Sequence, residues 1–230
     1  MRLLALEGGS LAASVALWDD ERLIDECFEL APRRQADILL PMAHDLLARA
    51  RWALSDLDAL AVARGPGAFT GLRAVLGMAQ GLAFAGGLPV IGVSSLACLA
   101  AGAFRLAAGT AEYCQVVQDA RMREVYLGVY RRHDGVIAPV VPDRVGAPDQ
   151  ALAAAPSADC LLAGDGWDAY PALLARTGRQ PADILIDQPR AGDVARLAAV
   201  EFRAGRWVDA AELEPAYVRD QVAFKPGQRR

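Results

Sequence analysis

Lysine is almost missing from this chain of 230 residues: the only one, Lys225, stands close to the C-terminal end. Walker-type phosphate binding and Schiff-base chemistry thereby lose their usual residue. Histidine is nearly as scarce. His44 falls in a helical pattern and His133 in a turn, so no H-E-x-x-H or H-x-x-x-H pair exists to hold a metal, which excludes a metallopeptidase. Cys27, Cys98, Cys114 and Cys160 are far apart, with no C-x-x-C pair, and read as buried small hydrophobes in a reducing compartment. A long hydrophobic run is also lacking. Apolar residues make up 54% of the chain, but in short blocks broken by Arg, Asp, Glu and Gly. None approaches the roughly 20 residues of a membrane helix. The N-terminus reaches Glu7 before a signal-peptide core could be completed. A soluble, cytoplasmic protein with no membrane partner is expected. Basic charge in excess is absent as well: the net charge is −4, which argues against gripping nucleic acid alone. Arg33 with Arg34, Arg121 with Arg123 and Arg131 with Arg132 read as solvated surface pairs, or as local contacts to RNA within a complex.

What is present is an ordered alternation of patterns. Residues 2–7, 12–18 and 22–28 are apolar-rich runs of strand length, the last two joined by Asp19-Asp20-Glu21, a hairpin turn. From Arg34 to Trp52, Ile38, Met42 and Leu46 recur every four residues, with Leu39, Ala43 and Leu47 beside them, a wide helical stripe. Strands at 57–63 and 88–93 and helices at 70–86 and 94–104 follow, the last capped by Ser94 or Ser95. The order βββαβαβα then restarts after Gly109. Strands are expected at 112–120, 124–132, 135–141, 160–166 and 183–187, and helices near 148–155, from about Trp167 and from about Asp193 to Arg203. His133-Asp134-Gly135 makes a second hairpin turn. A meander followed by alternating strands and helices, built twice, describes an α/β fold of two mixed-sheet lobes, 1–109 and 110–230, with the last helix and tail free to pack back on the first lobe. That order resembles the ribonuclease H-like architecture of actin, Hsp70 chaperones and sugar kinases. The tail 220–230, rich in Arg with Pro and Gly, is expected to fray.

The stretch GPGAFTGLR, residues 65–73, lies between an expected strand and an expected helix. Its glycines permit two readings. Gly65, Pro66, Gly67, Thr70 and Gly71 could form a loop that contacts phosphate through backbone amides at a helix N-terminus. Alternatively they supply positive φ angles and a tight turn, with Thr70 capping the helix. The helix behind carries Gly71, Gly77 and Gly81, each costing about 0.5–1 kcal/mol relative to alanine in a helix interior. A close contact should compensate. Either the helix is buried in its own domain, or it and the 34–52 helix present half of a helix bundle to a partner. The candidate partner-facing residues are Leu39, Met42, Ala43 and Leu46 on the first helix, and Leu72, Arg73, Val75, Met78, Ala79 and Leu82 on the second. Arg73 is a candidate for a polar contact at that seam or for capping a neighbouring loop.

GPGAFTGLR, followed by AQGLAF and PVIGVSSLACLA and preceded by LLPMAHDLL and LDALAVARGPG, resembles the TsaB (YeaZ) family. The similarity continues through DARMREVYLGVY, GDG at 164–166 and EPAYVR at 214–219, nearly the whole chain. Gly65, Pro66, Gly67, Phe69, Thr70, Gly71 and Arg73 match one family motif; Asp119, Ala120, Arg121 and Tyr126 match a second. The resemblance implies a two-lobed fold of the actin and sugar-kinase type and a noncatalytic subunit in tRNA threonylcarbamoyladenosine synthesis. Its implied partners are a second copy, through the two helices of the first lobe, and the catalytic TsaD subunit, which modifies adenosine 37 of tRNAs reading ANN codons. A TsaE-type ATPase is also implied, with tRNA met only within the complex. No cofactor of its own is implied, and any ATP or ADP with Mg²⁺ would lie at the interface with the catalytic partner.

The chain departs from the family twice. Glu7-Gly8-Gly9-Ser10 stands where members usually carry Asp-Thr-Ser or Asp-Thr-Ala, the turn that contacts nucleotide in distant relatives, and Arg34-Gln35-Ala36 replaces a His-Ser step. The first departure weighs against ATP binding by this chain alone, and the second means that the role of the replaced pair does not carry over. A self-sufficient ATPase or sugar kinase is the alternative. It would need Glu7, Asp119 and Asp165 to converge on a cleft as magnesium ligands and base, rather than to satisfy turns at strand ends.

Overall fold

The computed structural model describes residues 1–107, 109, 111–154 and 159–218; the tail 220–230, expected to fray, and Ala155 at the end of one expected helix lie outside the described residues. β1 (Arg2–Glu7) and β2 (Ala12–Asp19) are almost wholly apolar because both faces of their sheet are covered. β3 (Arg22–Leu30) is paired on one side only and carries the charged residues of an edge strand. α1 (Gln35–Ala50), β4 (Ala59–Ala63), α2 (Phe69–Gly86), β5 (Val90–Val93) and α3 (Ser95–Leu106) follow, and the first sheet has the order β3-β2-β1-β4-β5. β1 runs antiparallel to β2 and parallel to β4. Alternation along β1 sorts the core. Leu4 and Leu6 meet α1 and α2, while Leu3 and Ala5 point to the opposite face.

The second sheet has the order β8-β7-β6-β9, from β6 (Tyr113–Asp119), β7 (Val125–His133), β8 (Val136–Gly146) and β9 (Leu161–Ala163). α3 covers one of its faces; α4 (Asp149–Ala154), α5 (Gly166–Ala169) and α6 (Pro171–Arg176) cover the other. Ser94 caps α3, accepting from the amides of Leu96 and Ala97 at 3.1 Å. Both expected hairpin turns form, with positive φ at Asp20 and Glu21 and at Asp134 and Gly135, as two-residue hairpins require. The fold is the expected two-lobed α/β architecture.

The second half departs from the expected repeat. The segment 183–187 is not a strand: only Ile184 makes a bridge, to Leu162, between a short helical turn opened by Pro181 and the break at Pro189. α7 (Ala191–Arg203) then leaves this sheet and covers the open face of the first one. Ala191, Val194, Ala195, Ala198 and Ala199 lie there against Leu3, Ala5, Ala16, Ala59 and Ile91. The chain after α7 continues along the first sheet, with Val208 bridged to Val90 and the Ala216 amide bonded to the Arg64 carbonyl at 2.7 Å. No helix among the described residues is long and apolar enough to cross a membrane.

Candidate functional site

The carboxyl ends of β1, β4, β6 and β9 converge, and the turns that leave them line a cleft of about 320 Å³, in the position where open α/β sheets receive ligands. The GPG loop forms one wall. Gly65 has φ +106°, and a side chain there would meet Leu72 at 2.9 Å and the Ala216 carbonyl at 3.1 Å. A Cβ at Gly67 would lie 2.5 Å from the Gly9 carbonyl, and one at Gly71 equally close to that of Gly8. The Ala68 amide donates to the Gly9 carbonyl at 2.7 Å. These glycines bring the loop into backbone contact with the β1–β2 turn. Thr70 does not cap α2; its helix starts after Ala68 with no side-chain cap, and Thr70 is exposed.

Glu7, at the end of β1, is wholly buried beneath this contact. Its Oε1 accepts from the Gly9 amide at 2.8 Å, while Oε2 has no partner among the described residues. Burial pushes its pKa up to about 8, against smaller opposing hydrogen bonds from Gly9 and Ser10. It therefore carries a proton at neutral pH.

The opposite wall comes from the second sheet. Arg121, Met122 and Arg123 take three successive left-handed conformations, φ 55–62°, to turn the chain from β6 into β7. Asp119 secures that turn by accepting from the Arg121 amide at 2.9 Å and pairing with its guanidinium at 3.0 Å. Asp165 accepts from the Asp119 amide at 2.9 Å and from Gln188 Nε2 at 3.2 Å. Gln188 in turn accepts from the Leu11 amide at 3.0 Å, so one hydrogen-bonded chain ties the first turn of the molecule to the carboxyl ends of β6 and β9. Burial raises the Asp165 pKa, opposed by those hydrogen bonds. Tyr126 reaches across from β7, its hydroxyl 3.5 Å from the Gly67 carbonyl.

The structure brings Asp119 and Asp165 together at the cleft, as the kinase alternative requires. Glu7 does not join them as a ligand; it is spent under the turn. Two carboxylates line the cleft, the loop amide of Ala68 is already bonded, and Arg121, its one lining cation among the described residues, is committed to Asp119, which leaves no free cationic group there for a nucleotide's phosphates. The residues present do not fit ATP. His44 and His133 are both exposed and far from any metal-binding set; among the described residues no cluster of three candidate ligands occurs.

The expected partner-facing residues divide. Leu39, Ala43 and Leu46 of α1 and Leu72, Val75 and Ala79 of α2 are buried in the core of their own lobe and are corrected to internal residues. The helical stripe they form faces the first sheet. Met42, Met78 and Leu82 are half-buried at its margin, and Arg73 is exposed. Arg73 finds its partner within the chain: its Nε donates to the Tyr217 hydroxyl at 3.1 Å and its guanidinium lies 3.8 Å from the Phe69 ring centre, with Phe69 and Tyr217 stacked at 6.0 Å. The outward faces of the two helices carry other residues, Leu40 on α1 and Phe84 on α2, the latter 86% exposed. Gly77 and Gly81 lie on the same side of α2, with no described atom of the chain within 4 Å of where a Cβ would stand.

Sequence reasoning missed Gln118, Gln188 and Tyr217. Gln118 had a signal, a polar residue within the apolar run CQVVQDA. It also missed the buried cluster in which Asp143 accepts from Ser94 and Tyr130, because those three residues come from distant segments.

Comparison with known proteins agrees with this geometry. A family model described as TsaD, tRNA N6-adenosine threonylcarbamoyltransferase, matches residues 29–223. The tRNA threonylcarbamoyladenosine biosynthesis protein TsaB of Escherichia coli strain K12 is 39% identical, across 99% of this chain and 100% of its own. Its namesake from Haemophilus influenzae is 37% identical, across 99% and 98%. Among solved structures, YeaZ from Pseudomonas aeruginosa superposes with a TM-score of 0.81 at 39% identity, covering 94% of this chain and 99% of its own. An uncharacterized protein with similarity to peptidase YEAZ from the same organism gives 0.83 at 40%, covering 95% and 99%. With a family model over residues 29–223 and relatives matched along nearly the full length of both chains, on the same two-lobed fold, the chain belongs to the TsaB (YeaZ) family.

Proposed function

We propose that this protein serves tRNA threonylcarbamoyladenosine biosynthesis as a noncatalytic subunit, docking the outer faces of α1 and α2 on the TsaD-type transferase that modifies adenosine 37. The role in biosynthesis rests on the names of full-length relatives. The docking surface rests on one observation: Gly77 and Gly81 have no neighbour among the described residues that would need their missing side chains. Glycine at such exposed helical sites lowers stability without internal reason. Close approach by an outside helix supplies one. Phe84, three residues past Gly81 on the same helix, and Leu40 on α1 add exposed apolar area.

The same face suits a second copy of this chain, so a homodimer that exchanges for the heterodimer is part of the reading. The TsaE-type ATPase and tRNA then meet the assembly, and any ATP or ADP with Mg²⁺ belongs at the junction with the catalytic partner. A noncatalytic role is supported by a cleft whose two carboxylates are opposed by no free cationic group among the described residues. Light scattering on a sizing column, with this protein alone and mixed with the TsaD-type subunit of its own organism, tests it. A one-to-one complex, lost on Phe84→Asp while the circular dichroism of the monomer is unchanged, is expected. Failure to associate with nucleotide and tRNA present would overturn the reading, and ATP hydrolysis by the isolated chain would restore the kinase alternative.

A further inference from the structure

The cleft between the sheets has a polarity of its own. Asp119 and Asp165 line it against one cation among the described residues, Arg121, which is paired with Asp119. The two hydrogen-bond donors on Asp165 are both neutral, the Asp119 amide and the Gln188 carboxamide, and each of its oxygens retains a further lone pair. Gln118, on the adjoining stretch of β6, is only 4% exposed, lines the same cleft, and its Oε1 has no hydrogen-bond donor among the described residues. A buried acceptor left without a donor costs about 1–3 kcal/mol, so such groups mark the place of a missing partner. Across from these acceptors the wall is apolar, with Pro66, Phe69 and Leu72 of the loop and helix that precede and open α2.

We infer that the cleft binds an N–H-donating monocation, a primary ammonium on a short apolar stem, with the cationic head between Gln118 Oε1 and the Asp165 carboxylate and the stem against Phe69 and Leu72. The charge count asks for one positive charge. The orphaned acceptor asks for a positive or N–H-bearing partner, which an anion does not supply. Asp165, one carboxamide oxygen and Asp119, which is already paired with Arg121, fall short of the six to eight oxygens of a calcium cage. Such a head arrives either on a free small amine or on a lysine side chain of another protein. This inference is independent of the docking face on α1 and α2, which lies on other residues.

The test is a titration of the ¹⁵N-labelled full chain, followed by amide chemical shifts, with n-butylammonium, Nα-acetyl-lysinamide, butanol and butyrate as probes. Saturable shifts centred on Gln118, Asp119 and Asp165 are expected with the two ammonium probes and absent with butanol and butyrate. Tighter binding of butylammonium identifies a free amine as the source; tighter binding of acetyl-lysinamide identifies a side chain. Gln118→Leu, which satisfies the buried position without an acceptor, should weaken ammonium binding about tenfold, the worth of one hydrogen bond to a charged group. Asp165→Asn should weaken it at least as much. The inference fails if wild-type shifts stay linear to about 50 mM ammonium, beyond the range of a specific millimolar site. It fails equally if butanol gives the same shifts, or if Gln118→Leu binds as the wild type does.

Discussion

Glu7 occupies a position where most of a carboxylate's stabilising partners are missing. Its folded-state pKa of about 8 lies above the ordinary 4.5, so the native chain holds a proton that the unfolded chain releases. The stability this proton confers is fully present below pH 4.5 and is lost as pH rises towards and through 8. Each tenfold difference in proton affinity between the folded and unfolded chain is worth about 1.4 kcal/mol, so the loss amounts to several kcal/mol. Glu7→Gln keeps an acceptor for the Gly9 amide and removes the ionisation. Thermal unfolding followed from pH 5 to 9 should show the wild type losing stability across that window and the variant staying nearly level. The variant should be more stable by roughly 1–3 kcal/mol at pH 8. Equal slopes would show that Glu7 is ionised throughout. The glutamate itself was visible in the sequence as a departure at the first turn. Its burial was not, because the lid over it is the GPG loop, some sixty residues away, and proximity of that kind leaves no periodic trace.

At the scale of elements, α2 separates what helical periodicity can and cannot tell. The apolar stripe through Leu72, Val75 and Ala79 was legible as a stripe, and so was the surplus of glycine. Periodicity gives the direction of a stripe relative to its own axis but not the identity of what covers it. The face assigned to a partner is for these residues the face on the sheet. Gly77→Ala and Gly81→Ala make the distinction measurable. Each should stabilise the isolated monomer by about 0.5–1 kcal/mol in urea denaturation while weakening association in light scattering. Stabilisation with undiminished association would place the interface elsewhere. α3 offers a second case: Ser94 was legible as its cap, whereas the bonds from Ser94 and Tyr130 to Asp143 were not. Ser94→Ala removes the cap and also strips Asp143 of a donor, so it should cost about 2–3 kcal/mol, more than a cap alone. A loss of about 1 kcal/mol or less would mean that Asp143 is satisfied by Tyr130 without it.

For the whole molecule, the sequence pattern read as βββαβαβα built twice with the last helix free to pack back, and the structure takes that helix out of the second module and lays it on the first sheet. The last helix was expected from about Asp193; where its stripe of Ala191, Val194, Ala195 and Ala198 lands depends on the small residues Ala5, Ala16, Ala59 and Ala61, far back in the chain. The Arg105 guanidinium, bonded to the buried Asp193 at 2.8 and 2.9 Å, fixes α7 to α3 between the two sheets. The lobes are therefore expected to unfold as one cooperative unit. A chain ending at residue 109 should lack a native ¹H–¹⁵N spectrum and bind hydrophobic dyes, because one face of its sheet is bare. Adding a peptide of residues 189–218 should restore dispersion. A well-folded 1–109 fragment on its own would refute this.

The return of α7 also sets a schedule for synthesis. β1 ends at Glu7 and its covering helix begins only at Ala191, so at about 5–20 residues per second the strand waits on the order of ten seconds or more, apolar on the side that α7 will close. For that interval the nascent chain is a client for holding factors, and slowing translation between β5 and α7 should lengthen its exposure in proportion.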